Sequence, residues 1–360
     1  RRDIMPINVT GQTDITSSIS VMSGGAKSVC IVCEKGSTGG GETLKLLPIF
    51  STSDASAKIG DNTTALEMVR VCISNHVSRI FIMMVPAPLE DGNADYAGAL
   101  DELLQYNVDI ILLDSMDTKN IPLVIDHLDG AEKEDKYRYS VIGTAIDTTE
   151  GLVEFQNTIN HSRVFVPCPT LLDKDGKQAE VGTICAGLAS LIATETMDPA
   201  LPMNGVKVKG FGGISRVLLK NELEYLADNG ITPFYADTIG GEPAIYRLVT
   251  SYTKSGEELD PTWQEGTTRF IADDVLGAVR RRILTNYKRS KNVSRILDSM
   301  RTDVIDILDK KQQLEIIQNV DPDMVTVIKD PNDAYGALID YEFDVVTPLY
   351  TVKIRQHMKI

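Results

Sequence analysis

The sequence predicts an α/β protein, in which a mostly parallel sheet domain covered by helices is followed by an α+β region with an antiparallel sheet and terminal arms. Three observations predict this class. Short, almost continuously apolar runs alternate with helical patterns up to residue 203, as in parallel sheets that are buried on both faces. Beyond that point long helical patterns dominate. The chain then closes on alternating apolar and polar positions, which are typical of strands with one buried face.

Residues 1–23 are polar and rich in Thr and Ser, and we expect them to form an extended N-terminal arm. Ile7 and Val9, and again Ile19 and Val21, have the spacing of a strand. The arm has too few apolar residues to build a core of its own. It either pairs with another sheet or is a disordered terminus, and the sequence leaves both open.

Residues 24–203 form the predicted α/β domain. The predicted strands are 28–33, 79–85, 109–113, 139–144 and 163–166, and the predicted helices are 63–76, 94–106, 120–128, 148–160 and 181–194. The last helix carries small residues, such as Ala186, Gly187 and Ala189, which allow close packing on a sheet or on a neighbouring subunit. Pro199 and Pro202 then make a stiff connection out of the domain.

Residues 204–349 form the predicted α+β domain, and residues 350–360 a C-terminal strand or arm. Helices are predicted over 215–229, 267–286 and 293–318, and a strand over 244–249. In the run 337–345, one face carries Ala337, Ile339, Tyr341, Phe343 and Val345. In the terminal strand, one side carries Tyr350, Val352 and Ile354. Such a strand is either paired within its own chain or lent to another chain's sheet.

Composition and charge disfavour several classes of function. The chain has 360 residues and a net charge of −15, and no apolar run approaches the length of a bilayer-spanning helix. No signal peptide is visible, so we expect no membrane insertion. The segment 280–311 is the exception to the acidic balance, with ten basic and four acidic residues. General nucleic-acid binding is disfavoured, because it needs a basic face, and one basic strip on an acidic body suggests an acidic protein partner.

A doubly wound sheet invites a nucleotide-binding hypothesis, but the glycine-rich segments do not fit one. The stretch 24–28 lacks the Gly-Lys adjacency of a phosphate loop and precedes a strand instead of following it. The loop 36–41 follows a strand, but no Lys-Ser or Lys-Thr pair closes it. Gly210, Gly212 and Gly213 approach a dinucleotide fingerprint, but Ser215 stands where the last glycine belongs. The sequence therefore predicts no cofactor.

Catalytic and metal-binding patterns are also missing. The four histidines and five cysteines form no zinc-ligand quartet, so we expect no metal site. Cys30 and Cys33 have C-x-x-C spacing but lie inside a predicted strand, which favours reduced, buried thiols over a redox motif. Acidic clusters at 132–135 and 173–175 are interleaved with lysines and are interpreted as solvated surface. No catalytic residue is predicted, and an assembly subunit is the favoured class.

Several segments resemble, in order, the tail sheath proteins of contractile-tailed bacteriophages, particularly the Mu-like kind, and the sheaths of contractile bacteriocins. The likeness covers most of the chain from about Val29 onward. Segment 48–60 resembles an early strand and turn of the family, and 185–202 resembles a helix followed by an Asp-Pro-x-Leu-Pro turn. Segment 230–233 matches a Gly-Ile-Thr-Pro turn. The other matching segments are 246–263, with Arg247, Thr250, Tyr252, Asp260 and Trp263, and the region after Arg280. The N-terminal arm is similar in character only.

The resemblance implies a structural, non-enzymatic protein of a virion tail, assembled in the host cytoplasm. Sheath subunits polymerise with copies of themselves into stacked hexameric rings around a tail tube, between baseplate and tail terminator proteins. The sheath contracts and drives the tube through the target cell envelope. Terminal arms donate strands to neighbouring subunits. The α/β portion of this family is often labelled subtilisin-like, which names a fold and implies no protease activity.

Two residue sets follow from this interpretation. The basic strip is expected to face the tail tube, and its members are Arg280, Arg281, Arg282, Lys288, Arg289, Lys291, Arg295, Lys310 and Lys311. The inter-subunit strands are expected to use Ile7, Val9, Ile19, Val21, Tyr350, Val352 and Ile354. A solvated helix face is the alternative for the strip. For the whole chain, the alternative is an α/β enzyme or nucleotide-binding protein without a recognisable motif.

Overall fold

A computed structural model describes residues 26–86, 94–350 and 355–356. Its largest sheet has six strands: β1 (Val29–Glu34), β2 (Leu46–Ile49), β3 (Ile80–Val85), β4 (Ile110–Leu113), β5 (Tyr139–Val141) and β6 (Val164–Phe165). The spatial order is β2-β3-β1-β4-β5-β6. All neighbours are parallel except β2, which is antiparallel to β3 at one edge. The prediction of a mostly parallel sheet is therefore confirmed.

Helices cover both faces of this sheet. They are α1 (Thr52–Ile59), α2 (Thr63–Ser74), α3 (Tyr96–Leu103), α4 (Ile121–Lys133), α5 (Thr149–Asn157) and α6 (Val181–Glu195). Alternate residues of β1 enter two different cores: Val29 and Ile31 pack with α2 and α6, whereas Cys30 and Val32 pack with α3 and α4. This alternation follows from the period of two along a strand. It explains why the strands are apolar throughout.

The five cysteines are all free and buried, as predicted. Burial raises the pKa of the Cys30 thiol to about 12, so this thiol stays protonated and unreactive. The C-x-x-C spacing of Cys30 and Cys33 places the two thiols on opposite faces of β1, because three residues along a strand reverse the side-chain direction.

Helix α6 is buried along its length, from Gly182 to Ala193. It packs on α2 and on the central strands, so within the described residues its small side chains allow close packing on the sheet. At Gly187 a Cβ atom would lie 2.8 Å from Cε2 of Phe211, so a larger residue there would have to displace that ring.

Short elements on both sides of α6 complete this part of the chain. β7 (Leu171–Leu172) precedes α6, and the elements that follow α6 are β8 (Gly213–Ile214), α7 (Lys220–Asp228), β9 (Phe234–Tyr235), β10 (Ala244–Ile245), β11 (Lys254–Ser255) and β12 (Glu258–Leu259). The predicted helix over 215–229 was too long at its start. Ser215 instead donates its backbone N–H to Thr170, and Glu222 caps the helix by accepting from the backbone N–H of Leu219 at 2.8 Å.

The C-terminal module consists of two long helices and four short strands: α8 (Gly266–Tyr287), α9 (Ser294–Gln313), β13 (Ile317–Gln318), β14 (Thr326–Lys329), β15 (Ala337–Asp340) and β16 (Asp344–Val345). It has a third core of its own. The predicted helix over 293–318 ends early, because Glu315 adopts a positive φ of 58° and Ile317 pairs with Val345. The antiparallel pairs β13–β16 and β14–β15 confirm the predicted antiparallel region.

The run 337–345 is two strands rather than one. Residues 341–343 leave β15 so that β16 can reach β13. The predicted face nevertheless holds, because Ile339, Tyr341, Phe343 and Val345 pack against the third core. Ala337 is the exception and is exposed.

Helix α8 links the cores. Phe270 belongs to the core of the large sheet, and Ile271 and Val275 belong to the core of the C-terminal module. The predicted domain boundary at Met203 stays a prediction, and the large-sheet core draws on residues from both sides of it. In the parts of the chain that the structure describes, no helix is both long and apolar enough to cross a membrane.

Candidate assembly surfaces

The two ribbons of the C-terminal module present open sheet edges. Both β13–β16 and β14–β15 are two-stranded, and no third strand joins either of them within the described ranges. The ribbon β14–β15 packs on α9 through Ile339. An isolated two-stranded ribbon is marginally stable, and unpaired backbone N–H and C=O groups along its edges can accept a further strand.

The outer face of β14–β15 carries an apolar pair. Ile328 and Leu338 are directly opposite each other in the register, and they are 50% and 46% exposed. Tyr335, in the turn between the strands, is 94% exposed. Exposed apolar side chains beside an open edge are typical of a strand-accepting surface, because added strands gain side-chain contacts as well as main-chain hydrogen bonds.

The basic strip divides into two groups. Four of its members form ion pairs within the chain: Arg280 with Asp135, Arg282 with Asp303 and Asp306, Lys310 with Asp306, and Lys311 with Asp274. Lys311 is buried, so it is not part of the surface of this chain. The five exposed members are Arg281, Lys288, Arg289, Lys291 and Arg295. We call these five the exposed cations, and they surround the turn between α8 and α9.

A charged network joins the C-terminal module to the large sheet. Arg163, at the start of β6, is completely buried. Its Nη1 and Nη2 donate to Asp273 of α8 at 2.6 and 3.0 Å, and its Nε and Nη2 donate to Glu132 of α4 at 3.2 and 2.9 Å. Arg269 also donates to Glu132, at 2.7 Å, and Tyr139 donates its hydroxyl proton to Asp273. Such an arrangement compensates the buried charge of Arg163 and holds α8 against the sheet.

The interpretation of 132–135 as solvated surface holds for Glu134, which is exposed, but was wrong for Glu132 and Asp135. Although partial burial raises the pKa of Glu132, Arg163 and Arg269 together lower it to about 2. Asp135 pairs with Arg280 of α8. The bonding partners of these carboxylates come from distant parts of the sequence, so local composition could not reveal them. The one local signal was Arg269 and Asp273, which have the i,i+4 spacing of a helical ion pair.

The sheet has a switch point between β1 and β4, where ligands bind in many doubly wound folds. An open cleft of about 420 Å³ lies there, lined by Glu34, Lys35, Asp61 and Asp114 among others. Asp114 accepts from the backbone of Glu34 at 3.0 Å, from Asn62 at 2.7 Å and from the hydroxyl of Tyr96 at 2.7 Å. Three carboxylates against one lysine disfavour a phosphate group at this cleft.

The glycine loop after β1 has a packing role. The N–H groups of Gly36, Gly40 and Gly41 donate to carbonyl oxygens of residues 57–59 at 2.8 to 3.0 Å. A Cβ atom on Gly36 would lie 2.5 Å from the backbone nitrogen of Asp61. These amides therefore hold the loop on the end of α1, and they are not directed at a phosphate. Among the described residues no cluster of His, Cys, Asp or Glu could hold a metal ion.

Most of the predicted inter-subunit residues lie outside the described residues: Ile7, Val9, Ile19, Val21, Val352 and Ile354. Tyr350 is described and is held within its own chain. Its hydroxyl donates to Glu265 at 2.9 Å, and the guanidinium carbon of Arg247 lies 5.3 Å from its ring centroid.

No protein-family profile and no curated protein sequence matches this chain. Solved structures do match it. A sheath tail protein from Listeria innocua is 12% identical with a TM-score of 0.70, covering 91% of this chain and 93% of its own. A chain in the contracted helical sheath of the anti-feeding prophage is 13% identical with a TM-score of 0.66, covering 99% and 100%.

A third match is a chain in the contracted PVC sheath complex of an extracellular contractile injection system. It is 13% identical with a TM-score of 0.69, and 97% of each chain is covered. These similarities include the C-terminal module as well as the large sheet, because nearly the whole chain is aligned. The chain therefore has the fold of the sheath proteins of contractile tails and injection systems.

Proposed function

We propose that this protein is the structural subunit of a contractile tail sheath. Copies of the chain polymerise in stacked hexameric rings around a tail tube, and contraction of the sheath drives the tube through the target cell envelope. The observation that carries the proposal is the fold likeness to chains of contracted sheaths over 97–99% of this chain. The open ribbons of the C-terminal module give the proposal a physical basis, since they offer edges to strands from other copies.

Strand exchange accounts for the polar N-terminal arm. Ordering a ten-residue arm costs on the order of 10–20 kcal/mol of backbone entropy. A strand added to β14–β15 gains main-chain hydrogen bonds along its length, and Ile7, Val9, Ile19 and Val21 would contact the exposed Ile328 and Leu338 face. Because Tyr350 is held in its own chain, the C-terminal part that is exchanged starts after it, with Val352 and Ile354.

The exposed cations are proposed to face the tail tube. Single exposed charge pairs contribute only about 0–1 kcal/mol, but identical contacts add up over many subunits. Weak individual contacts suit a tube that must be released during contraction. The other proposed partners are the baseplate and tail terminator proteins, and the assembly belongs to the tail of a virion or a related particle formed in the host cytoplasm. Catalysis and nucleic-acid binding form no part of this proposal.

Electron microscopy of the purified full chain tests the assembly. Tubes or rings are expected, and deletion of residues 1–21 or 351–360 should abolish them while the α/β part stays folded by circular dichroism. Normal polymerisation of both truncated chains would exclude strand linkage. Monodisperse particles whose thermal unfolding is shifted by millimolar nucleotide and Mg²⁺ would favour the nucleotide-binding alternative instead.

Charge reversal tests the tube contact. A variant with Arg281, Lys288, Arg289, Lys291 and Arg295 all changed to Glu should still form sheath but should no longer co-assemble with co-expressed tube protein. The matched control changes five exposed lysines outside α8 and α9 to Glu, and they are Lys45, Lys174, Lys177, Lys207 and Lys220. Equal co-assembly of the reversed and control chains would contradict the tube-facing orientation.

A further inference from the structure

Lys27 and Tyr350, which lie near the two ends of the chain, both contact one short piece of helix. Tyr350 contacts Glu265, the residue directly before α8. Nζ of Lys27 lies 5.6 Å from the ring centroid of Phe270, further along the same helix. Five residues of α-helix span about 7.5 Å, so both contact points lie within the first three turns of α8.

At the C-terminal end the attachment is a clasp of three side chains. Tyr350 donates its hydroxyl proton to Oε2 of Glu265 at 2.9 Å, while Nε of Arg247 donates to Oε1 of the same carboxylate at 2.8 Å. The guanidinium group of Arg247 stacks over the Tyr350 ring and also pairs with Asp228 at 3.1 Å. Arg247 thus binds Glu265 and Asp228 as well as the tyrosine ring, so the site that holds Tyr350 has hydrogen bonds of its own.

At the N-terminal end the attachment is a lysine over two aromatic rings. Nζ of Lys27 lies 5.7 Å from the ring centroid of Tyr139 and 5.6 Å from that of Phe270 in α8. Burial lowers the pKa of Lys27, and the negative charges of Asp109, Asp273 and Asp274 oppose that shift. The backbone is held too, since the N–H of Lys27 donates to Ala193 at 3.1 Å and Arg79 donates to the carbonyl of Ala26 at 2.7 Å.

We propose that the first three turns of α8, residues 265–274, are the common anchor of both terminal segments, with Tyr350 and Lys27 as the positioning residues. The consequence rests on the proposed function: a pull on the C-terminal arm by another copy is delivered to α8 through Tyr350, and a pull on the N-terminal arm is shared between α8, through the side chain of Lys27, and α6, through its backbone. The exposed cations lie at the opposite end of this helix, which is 22 residues long and so about 33 Å in length. Helix α8 would then couple the arms of a subunit to its proposed tube-facing surface.

The anchor is tested on the unassembled full chain by amide hydrogen exchange. Tyr350→Phe removes one hydrogen bond to a charged group, and it should speed exchange about tenfold at Gly266, whose N–H donates to Leu248, and at the helical amides 270–274. Tyr350→Ala also removes the ring and should have a larger effect at the same positions. Tyr335→Ala is the control, because Tyr335 is 94% exposed, and it should leave exchange at these amides unchanged.

The N-terminal attachment is tested in the same way. Lys27→Met keeps the aliphatic stem over the rings and removes the charge, so it should speed exchange at 26–28 and 270–274, whereas Lys174→Met should not. The anchor is overturned if exchange in 265–274 is the same in Tyr350→Ala and Lys27→Met as in the unmodified chain. It is also overturned if Tyr335→Ala has an equal effect.

Electron microscopy separates this result from the proposed function. If the unmodified chain forms no tubes or rings, the sheath proposal fails while the exchange result still decides the anchor. If the unmodified chain and Tyr350→Ala both polymerise and contract normally, the coupling role is overturned even where exchange is faster. Tubes that form without contracting, or that break into rings, in Tyr350→Ala but not in Tyr335→Ala support the coupling.

Discussion

Replacing Asp273 with Asn should detach the C-terminal module from the large sheet. Asp273 accepts two hydrogen bonds from the completely buried Arg163 and one from Tyr139, and it lies 3.6 Å from Arg269. Asn is nearly isosteric, so the change removes charge with little change in shape. The two guanidinium groups would then share a single carboxylate, Glu132, whose side chain is 42% exposed.

The expected loss of stability is about 3 kcal/mol. A hydrogen bond to a charged group contributes about 1.5–3 kcal/mol, and breaking one side of a buried ion pair costs about 3–5 kcal/mol. The lower part of these ranges applies because the Asn oxygen still accepts one bond and because Glu132 is partly solvated. The matched control is Asp298→Asn on α9, where the side chain is exposed, and this change should stay within about 0.5 kcal/mol.

The chain contains its own probe for this experiment. Trp263 is the single tryptophan of the sequence, and its ring lies 4.7 Å from the guanidinium carbon of Arg269. Urea unfolding followed by tryptophan fluorescence therefore reports on the junction, and the midpoint shift multiplied by the slope gives the free-energy change. The reasoning is refuted if Asp273→Asn and Asp298→Asn shift the midpoint equally, or if hydrogen exchange in α8 is unaffected.

Two further changes probe the cores. Burial, and next the charge of Arg138, whose Nη1 lies 2.7 Å from Nε2 of His127, lower the pKa of His127 to about 4. Between pH 6.5 and 4 the folded state therefore binds fewer protons than the unfolded state, and the protein loses stability as the pH falls through that window. Between pH 7 and 5 the loss is about 2 kcal/mol, so the free energy of unfolding of His127→Gln, measured by urea titration, should depend less on pH by that amount. Gly187→Ala places a methyl group against Phe211 and should destabilise the chain by about 1–3 kcal/mol, whereas Gly130→Ala, with open space around it in α4, should stabilise it by about 0.5–1 kcal/mol in the same assay. Parallel pH profiles, or equal effects of the two glycine changes, would contradict these assignments.

The long elements of the α/β part could be predicted because their signal is local. Strands β1, β3 and β4 are apolar runs of ordinary length, and α2 and α6 begin at the residues where the periodic pattern begins. The fold class follows from that alternation. Two-residue strands such as β9 and β10 have no periodicity to detect, since they form only where tertiary contacts bring their backbones together.

The sequence patterns did not predict α1 as a helix, and the family resemblance marked its region as a strand and turn. Its residues are mostly polar and small, so periodicity is weak. A capping signal was nevertheless available in Ser51 and Asp54. The hydroxyl of Ser51 accepts from the backbone N–H of Asp54, and the carboxylate of Asp54 accepts from the backbone N–H of Phe50, both at 3.1 Å. This is close to the reciprocal pattern of a capping box.

The basic strip marks the limit of reasoning from charge counts. A charge count over 280–311 gives all ten cations equal weight, but the tertiary structure pairs Arg280 with Asp135 and Lys311 with Asp274. Both carboxylates lie outside that segment, so a charge count within the segment could not reveal these ion pairs. What remains is a smaller surface, the five exposed cations around the turn between α8 and α9. If that surface binds the tube, affinity must come from repetition along the sheath rather than from any single subunit. Its removal should therefore weaken tube binding steeply with the number of charges reversed and leave the fold of the isolated subunit intact.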